Sequence, residues 1–243
     1  MSTNLHSDPR VGLFETMLVA AGHPLELDAH MARLAADLEA VFDAETPTNA
    51  VELVRNQARP IALGRLRLTV APDDGGKLMA EATAVEIDPG LVFPSPEQAV
   101  SLSSLLVEGG LGARKWADRS LLEGAEAKGP AVPLLRDVDG AVLEASRGNV
   151  FLVGSGALAT PPTDGRILPG IARRQAIEVA RAMGIEVREA ELSLTDLMGA
   201  DEVFLTGSVR GIEPVRSIDG AALSPAGEVT GLVSSALRRR WLG

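Results

Sequence analysis

The apolar and polar positions of the N-terminal part predict a strand, a turn and an amphipathic helix. Residues 11–19 have the composition of a strand, and Gly22-His23-Pro24 forms a turn that closes a hairpin. A helix is expected from Asp28, as its N-cap, to about Phe42. Arg33 lies off the apolar stripe of this helix. The stripe consists of Met31, Leu34, Leu38, Val41 and Phe42.

A second helix and a second hairpin follow in this part of the chain. The helix is predicted near residues 49–59, and the two hairpin strands near 64–71 and 78–87. Residues 72–76 join these strands with the proline, aspartate and glycine that tight turns use. The segment therefore belongs to the α+β class.

Residues 108–114 are rich in glycine and read Glu-Gly-Gly-Leu-Gly-Ala-Arg. Such a run gives a flexible connection or a close backbone approach, and we interpret it as the link between two domains. The predicted division is a small N-terminal domain at 1–107, a connection at 108–114 and a C-terminal domain at 115–243.

The C-terminal part contains further strands and helices. Strands are expected at 131–137, 142–144, 149–153, 157–160, 185–189 and 202–206, with a hairpin around Asp219-Gly220. Helices are expected at 115–128, 171–183, 193–198 and 225–241. Gly184 follows the second of these as a C-cap.

The composition limits the partners and the kinds of functional site that the chain can have. The 243 residues carry a formal net charge of −10, which disfavours nucleic acid as a partner, and no apolar run reaches the roughly 20 residues that a bilayer span needs. Cysteine is absent, so disulfides, thiolate nucleophiles and cysteine metal sites are excluded. The polar start at 1–10 lacks a secretory pattern, and we expect a cytoplasmic protein without a bound metal.

Few side chains are available for acid, base or nucleophile roles. There are three histidines and no tyrosine, which makes a Ser-His-Asp triad or a histidine metal site hard to assemble. Of the three lysines, Lys77 and Lys128 occupy a turn and a helix end, as ordinary solvated lysines do. Lys115 follows the glycine-rich run, where packing does not require a lysine, and is the candidate active amine.

Glu144 closes a predicted strand and is followed by small, turn-forming residues up to Asn149. An exposed strand end is one interpretation. The other is a carboxylate held against a ring nitrogen, since an ionised acid keeps a pyridine protonated and able to accept electrons.

Two segments suit a phosphate group. Residues 167–173 form a loop that opens into a helix, whose first N–H groups lack internal partners. Thr206-Gly207-Ser208 follows a strand and offers hydroxyl and backbone donors, and Arg33 offers a bidentate clamp.

In this order, the segments resemble the fold-type IV enzymes that depend on pyridoxal 5'-phosphate (PLP), also called the class IV aminotransferase family. The opening strand around Gly12-Leu13-Phe14-Glu15-Thr16 and the segment His30-Met31-Ala32-Arg33-Leu34 match its N-terminal motifs. The C-terminal motifs are Glu-x-x-x-x-Asn-x-Phe at 144–151, Leu-Pro-Gly-Ile-Ala-Arg at 168–173 and Ala-Asp-Glu-Val-Phe at 200–204.

The resemblance implies a fold, a cofactor and a set of site residues. The fold is that of D-amino-acid aminotransferase, with a small N-terminal α/β domain and a larger domain whose mixed sheet is barrel-like. Lys115 is the Schiff-base lysine and Glu144 contacts the pyridine nitrogen. The other cofactor-binding residues implied are Arg33, Asn149, Gly170, Ile171, Ala172, Gly207 and Ser208.

This chain departs from the family pattern at two positions. Many relatives have a tyrosine a few residues after the lysine, where residues 116–120 here read Trp-Ala-Asp-Arg-Ser. The hydrogen bond to the cofactor hydroxyl must then come from elsewhere or be missing. Ala172 replaces the common threonine of the phosphate loop, which removes a hydroxyl but keeps the backbone donor.

The expected activity is that of 4-amino-4-deoxychorismate lyase, which releases pyruvate and 4-aminobenzoate for folate biosynthesis. The short chain and the Phe14-Glu15-Thr16 opening favour it over an aminotransferase of the branched-chain or D-amino-acid type. A non-catalytic binding protein is a third alternative.

We expect a small amino-acid-like substrate and, by analogy with the family, a homodimer. Val209 and Arg210 follow the phosphate turn. Arg210 suits a substrate carboxylate or an ordinary surface position.

Overall fold

The computed structural model describes residues 7–224 and 227–243. The first six residues of the polar start and the predicted helix start at Pro225 lie outside the described residues. The contacts divide the chain into two compact units. The first unit runs to Pro89 and includes Arg114–Arg119, and the second comprises Gly90–Ala113 and Ser120–Gly243.

The first unit is an antiparallel sheet with two helices. The strands follow the order β2-β1-β3-β4 across the sheet. Their bounds are β1 Leu13–Ala20, β2 His23–Pro24, β3 Leu63–Pro72 and β4 Leu78–Glu86, and the helices are α1 Leu27–Phe42 and α2 Ala50–Ala58. Both predicted hairpins are therefore confirmed.

Helix α1 packs through the stripe His30, Leu34 and Leu38, which recurs every four residues. The predicted N-cap at Asp28 is wrong. The chain enters the helix earlier, through Glu26 in the left-handed conformation without a side-chain capping bond, and Asp28 lies within the first turn. An acidic side chain there complements the helix dipole.

The second unit is built around a mixed sheet. Its strands are β5 Val100–Leu106, β6 Val132–Arg136, β7 Ala141–Ala145, β8 Gly148–Gly154, β9 Ala157–Thr160, β10 Val187–Glu189, β11 Leu192–Ser193, β12 Glu202–Gly207, β13 Gly211–Ile218 and β14 Ala221–Ala222. Its helices are α3 Ser120–Glu126, α4 Ile171–Ala182, α5 Leu194–Met198 and α6 Glu228–Leu242.

Six of these strands close into a ring. The order β8-β12-β13-β5-β6-β7 returns to β8 through the β7–β8 pairing. Apolar side chains fill a core here that includes Val150, Leu205 and Val215. The predicted α+β class and the barrel-like sheet are confirmed.

The units differ from the predicted domains on both sides of the glycine-rich run. Residues 115–117 do not begin a helix, since α3 starts only at Ser120. Instead, Phe14 N donates to Lys115 O at 2.9 Å, and Ala117 N donates to Gly12 O at 2.9 Å. Trp116 forms a bridge with Leu13 and packs on the first unit's core. This segment is therefore held by β1.

Residues 90–107, predicted as part of the N-terminal domain, group with the second unit. The reason is β5, which pairs in parallel with β6 on one side and with β13 on the other. Among the described residues, no helix combines the length and the apolar character needed to cross a bilayer.

Candidate functional site

Lys115 is fixed through its main chain in the first unit. Its carbonyl accepts the hydrogen bond from Phe14 in β1, and its Nζ lies 4.7 Å from the centroid of the Phe14 ring. An ammonium at this distance is attracted by the ring face. The backbone pairing thus places the candidate amine over an aromatic side chain.

Glu15 is the centre of a buried hydrogen-bonded cluster in the same unit. His30 Nδ1 lies 2.7 Å from its Oε2, and because a carboxylate only accepts, Nδ1 is the donor. Arg33 donates from Nε to Oε1 at 2.7 Å and from Nη2 to Oε2 at 2.6 Å. The bidentate geometry fixes the plane of the Arg33 guanidinium.

The cluster determines the ionisation of its members. Burial raises the pKa of Glu15, but the hydrogen bonds from His30 and Arg33 outweigh that effect and bring the pKa to about 2. Burial lowers the pKa of His30 from its ordinary value, against the opposing influence of Glu15. At neutral pH, Glu15 is therefore ionised and the His30 ring is neutral.

Asp37 and Arg114 extend this charged region. Asp37 lies one helical turn after Arg33, and Arg114 Nε is 3.8 Å from its Oδ1. Burial raises the pKa of Asp37 to about 6, although Arg114 and Arg33 both oppose the rise. Arg114, the residue just before Lys115, therefore forms an ion pair with Asp37 of α1.

Glu144 of the second unit is buried and oriented by neutral donors. Asn149 Nδ2 donates to its Oε2 at 3.2 Å, and the main-chain N–H of Leu168 donates to its Oε1 at 3.1 Å. Asn149 Nδ2 also donates to the Leu168 carbonyl at 2.9 Å. Glu144 and Asn149 are direct partners across the β7–β8 pair. The asparagine thus links the glutamate to the loop before α4.

Gly170 caps α4 at a position where a side chain does not fit. A Cβ there would lie 2.0 Å from Asn149 Oδ1. No side chain caps the helix, and the main-chain N–H of Arg174 donates a hydrogen bond to the Gly170 carbonyl. Ile171 and Ala172 lie in the first turn, where N–H groups lack helical acceptors. This end of α4 is suited to an anion.

The turn after β12 lies against the β7–β8 turn. A Cβ on Gly148 would come within 2.3 Å of Thr206 O, and a Cβ on Gly207 within 3.1 Å of Arg147 O. Gly207 ends β12 and Ser208 follows it, with Val209 and Arg210 completing the turn to β13. Close backbone approach therefore brings Gly207 and Ser208 to the strands that carry Glu144 and Asn149.

The predicted site residues fall into two sets, one in each unit. Lys115 and Arg33 belong to the first, and the structure brings together Glu144, Asn149, Gly170, Ile171, Ala172, Gly207 and Ser208 in the second.

Sequence reasoning assigned no role to Glu15, His30 or Glu213. A signal for Glu15 was present, since it shares the strand face of Leu13, Met17 and Val19, which is otherwise apolar. His30 shares the apolar stripe of α1 in the same way.

The family model described as amino-transferase class IV matches residues 12–105 and 120–218. The chain belongs to the class IV aminotransferase family. Members of this family depend on PLP, and the chain is a PLP-dependent enzyme. Lys115 lies in the stretch between the two matched ranges.

One curated relative is similar to part of this class IV chain. Branched-chain-amino-acid aminotransferase of Salmonella typhimurium is 47% identical over 103 residues, which are 42% of this chain and 33% of that protein. The chain thus spans about a third of the length of this curated relative.

Two solved structures cover nearly the whole chain. The 4-amino-4-deoxychorismate lyase of Pseudomonas aeruginosa is 26% identical over 98% of this chain and 95% of that one, with a TM-score of 0.79. The branched-chain aminotransferase of Escherichia coli is 25% identical over 96% and 85%, with a TM-score of 0.77.

The donor set of the second unit fits PLP. The α4 start and the Gly207–Ser208 turn supply backbone N–H groups of the kind that bind phosphate. Glu144 is a buried carboxylate of the kind that holds a pyridinium proton. The lack of a Cβ at Gly170 and Gly207 lets the Asn149 side chain and the Arg147 carbonyl approach these two backbone segments closely.

Proposed function

We propose that this class IV enzyme is an aminotransferase that exchanges an amino group between an amino acid and a 2-oxo acid. An identity of 47% with a branched-chain aminotransferase, over 103 residues or 42% of this chain, carries the choice of reaction. Motif reasoning alone favoured the lyase, and over nearly the whole chain the lyase structure at 26% identity and the branched-chain aminotransferase structure at 25% do not separate the two reactions.

In the second unit, the N–H groups of Ile171, Ala172, Gly207 and Ser208 would bind the cofactor phosphate. In the first unit, Arg33 has the guanidinium that the family motif assigns to a phosphate. Glu144, oriented by Asn149 and Leu168, would keep the ring nitrogen protonated. When bound, PLP supplies an electron sink that makes the proton on the substrate α-carbon acidic. Lys115 Nζ would be the base that removes this proton.

The first experiment asks whether Lys115 binds the cofactor. Purified protein incubated with PLP should develop a visible absorption band that borohydride removes, and peptide mapping should place the reduced label on Lys115. Lys115→Ala should lose the adduct, and Lys128→Ala should keep it. A label on another lysine would contradict the assignment.

The second experiment identifies the reaction. The protein should convert leucine and 2-oxoglutarate to glutamate and the branched 2-oxo acid, measured by chromatography. Turnover of alanine instead, in either stereoisomer, would keep the aminotransferase proposal but change the substrate.

The second candidate function is aminodeoxychorismate lyase. It is favoured by the lyase of Pseudomonas aeruginosa, which is similar to this chain over nearly the full length of both. Release of pyruvate and 4-aminobenzoate from aminodeoxychorismate, without amino transfer to a 2-oxo acid, would establish it and refute the first proposal.

A further inference from the structure

Glu213 of β13 is a buried carboxylate that holds two arginines. Arg147 donates from Nε to Oε2 at 3.0 Å and from Nη2 to Oε1 at 2.5 Å. Arg210 donates from Nη1 to the same Oε1 at 3.2 Å. One glutamate thus fixes two guanidinium groups that come from different turns of the second unit.

The charges of this cluster do not cancel, since two cations share one anion. The Glu213 side chain is 4% exposed, whereas those of Arg147 and Arg210 are 33% and 32% exposed. Over the described ranges 7–224 and 227–243, neither arginine has a second carboxylate within ion-pair distance. A net positive charge therefore lies at the surface above a buried anchor.

Burial and the neighbouring cation both act on Arg210. Burial lowers its pKa from the ordinary value, Glu213 opposes this and Arg147 adds to it. An arginine side chain remains protonated in proteins. A further bound anion, rather than loss of a proton, would therefore relieve the repulsion between the two guanidinium groups. Guanidinium groups already fixed in orientation lose little entropy when they bind one.

The cluster neighbours the residues proposed to bind the cofactor. Arg147 lies in the turn between Glu144 and Asn149, and Arg210 lies just after Gly207 and Ser208. The 3.1 Å approach between a Gly207 Cβ and the Arg147 carbonyl shows that the two turns pack together. A ligand at the β12–β13 turn would therefore lie close to both guanidiniums.

We propose that Arg147 and Arg210, anchored by Glu213, form a subsite for a carboxylate of the substrate. Guanidinium groups suit this ligand because they donate in the planar geometry that a carboxylate accepts. The inference rests on the proposed function, because it assumes that an amino-acid substrate reacts with PLP bound by this chain. Two carboxylates have the required chemistry, namely the α-carboxylate of any substrate and the side-chain carboxylate of a dicarboxylic one.

The test measures binding of two 2-oxo acids to PLP-loaded protein by calorimetry, which needs no turnover. The ligands are 2-oxoglutarate and 2-oxo-4-methylpentanoate, which differ in the distal carboxylate. The variants are Arg147→Gln, Arg210→Gln and the double variant. Arg188→Gln is the control, since Arg188 is an exposed arginine paired with Glu186. PLP affinity is measured in parallel by absorbance.

The double variant should raise the Kd by roughly 10- to 100-fold, as expected for loss of hydrogen bonds to a charged group. A rise for 2-oxoglutarate alone assigns the side-chain carboxylate, and an equal rise for both ligands assigns the α-carboxylate. Arg210→Lys should recover part of the affinity because it keeps the charge. The Arg188 control should bind as wild type does.

Changes of less than about twofold for both ligands, in variants that still bind PLP, would overturn the subsite. The proposed function fails separately, if the wild-type protein forms no borohydride-sensitive adduct or transfers no amino group. In that case, calorimetry without PLP still compares the ligands, and equal binding by wild type and double variant would also reject the subsite.

Discussion

Glu15 and Glu144 are both buried carboxylates, but different donors hold them. Glu15 in the first unit bonds to the guanidinium of Arg33 and the imidazole of His30. Glu144 in the second unit accepts from the amide of Asn149 and a main-chain N–H. The first arrangement stabilises a charge with a cation, whereas the two hydrogen bonds described here for Glu144 come from neutral dipoles. We therefore expect Glu15 to matter mainly for stability and Glu144 mainly for cofactor chemistry.

Glu15→Gln tests the first half of this comparison and should have the largest effect. Breaking a buried ion pair costs about 3–5 kcal/mol because the remaining charge stays desolvated. At about 2–4 °C per kcal/mol, the Tm should fall by roughly 10 °C in a calorimetric scan. Glu45→Gln, at an exposed glutamate, should change stability by less than about 0.5 kcal/mol. A Tm loss no larger than that of the control would make Glu15 dispensable for the fold.

The pH dependence of stability sharpens the same point. The folded-state pKa of Glu15 is about 2 and the ordinary value is 4.5, so its contribution is present above 4.5 and is lost as the pH falls toward 2. The shift corresponds to about 3 kcal/mol. Urea unfolding of wild type and Glu15→Gln should show a constant difference above pH 5 that narrows below pH 4.5. A constant difference at all pH values would mean that the charge is not responsible.

Glu144→Gln tests the second half. Loss of the carboxylate charge should lower kcat by about 100-fold or more, which is about 2.7 kcal/mol, while the fold survives. The PLP absorption band should shift, because the ring nitrogen loses its acidic partner. Glu123→Gln, at an exposed glutamate of α3, is the control. Full activity in Glu144→Gln would remove the distinction between the two carboxylates.

Gly170→Ala perturbs the neutral donors without removing Glu144. The new Cβ would meet Asn149 Oδ1 at 2.0 Å, so the amide must move away from Glu144 and Leu168. We expect a loss of about 1–3 kcal/mol in stability and weaker PLP binding by absorbance titration. Gly124→Ala in α3 has open space around it and should be neutral or stabilising. Unchanged PLP affinity in Gly170→Ala would show that the Asn149 contact is not needed.

Local patterns in the sequence predicted elements whose signals lie within a few residues. The β3–β4 hairpin and α1 are examples, since turn residues and a four-residue stripe encode them directly. The predicted helix start at Lys115 failed because Gly12 and Phe14, about one hundred residues earlier, pair with this segment. Strand β5 was not predicted because its partners are parallel strands far along the chain.

The site was predicted in the same uneven way. Motif spacing selected Glu144, Asn149 and Gly170, and the structure brings them together. It could not reveal that Arg147 and Arg210 share Glu213, because 66 residues separate Arg147 from that glutamate. Which buried acids bind which cations is decided by tertiary packing, which residue spacing alone does not encode.

The closed ring of strands has a consequence for how this enzyme can diversify. Glu144 and Asn149 face each other where β7 meets β8, at one junction of that ring. A strand in an open sheet can slip by two residues, but a slip here would force every other pairing around the circle to shift as well. With the proposed subsite in place, we expect mutations to alter substrate preference most readily in the turns that project from the circle, where Arg147 and Arg210 lie, while the position of Glu144 stays fixed.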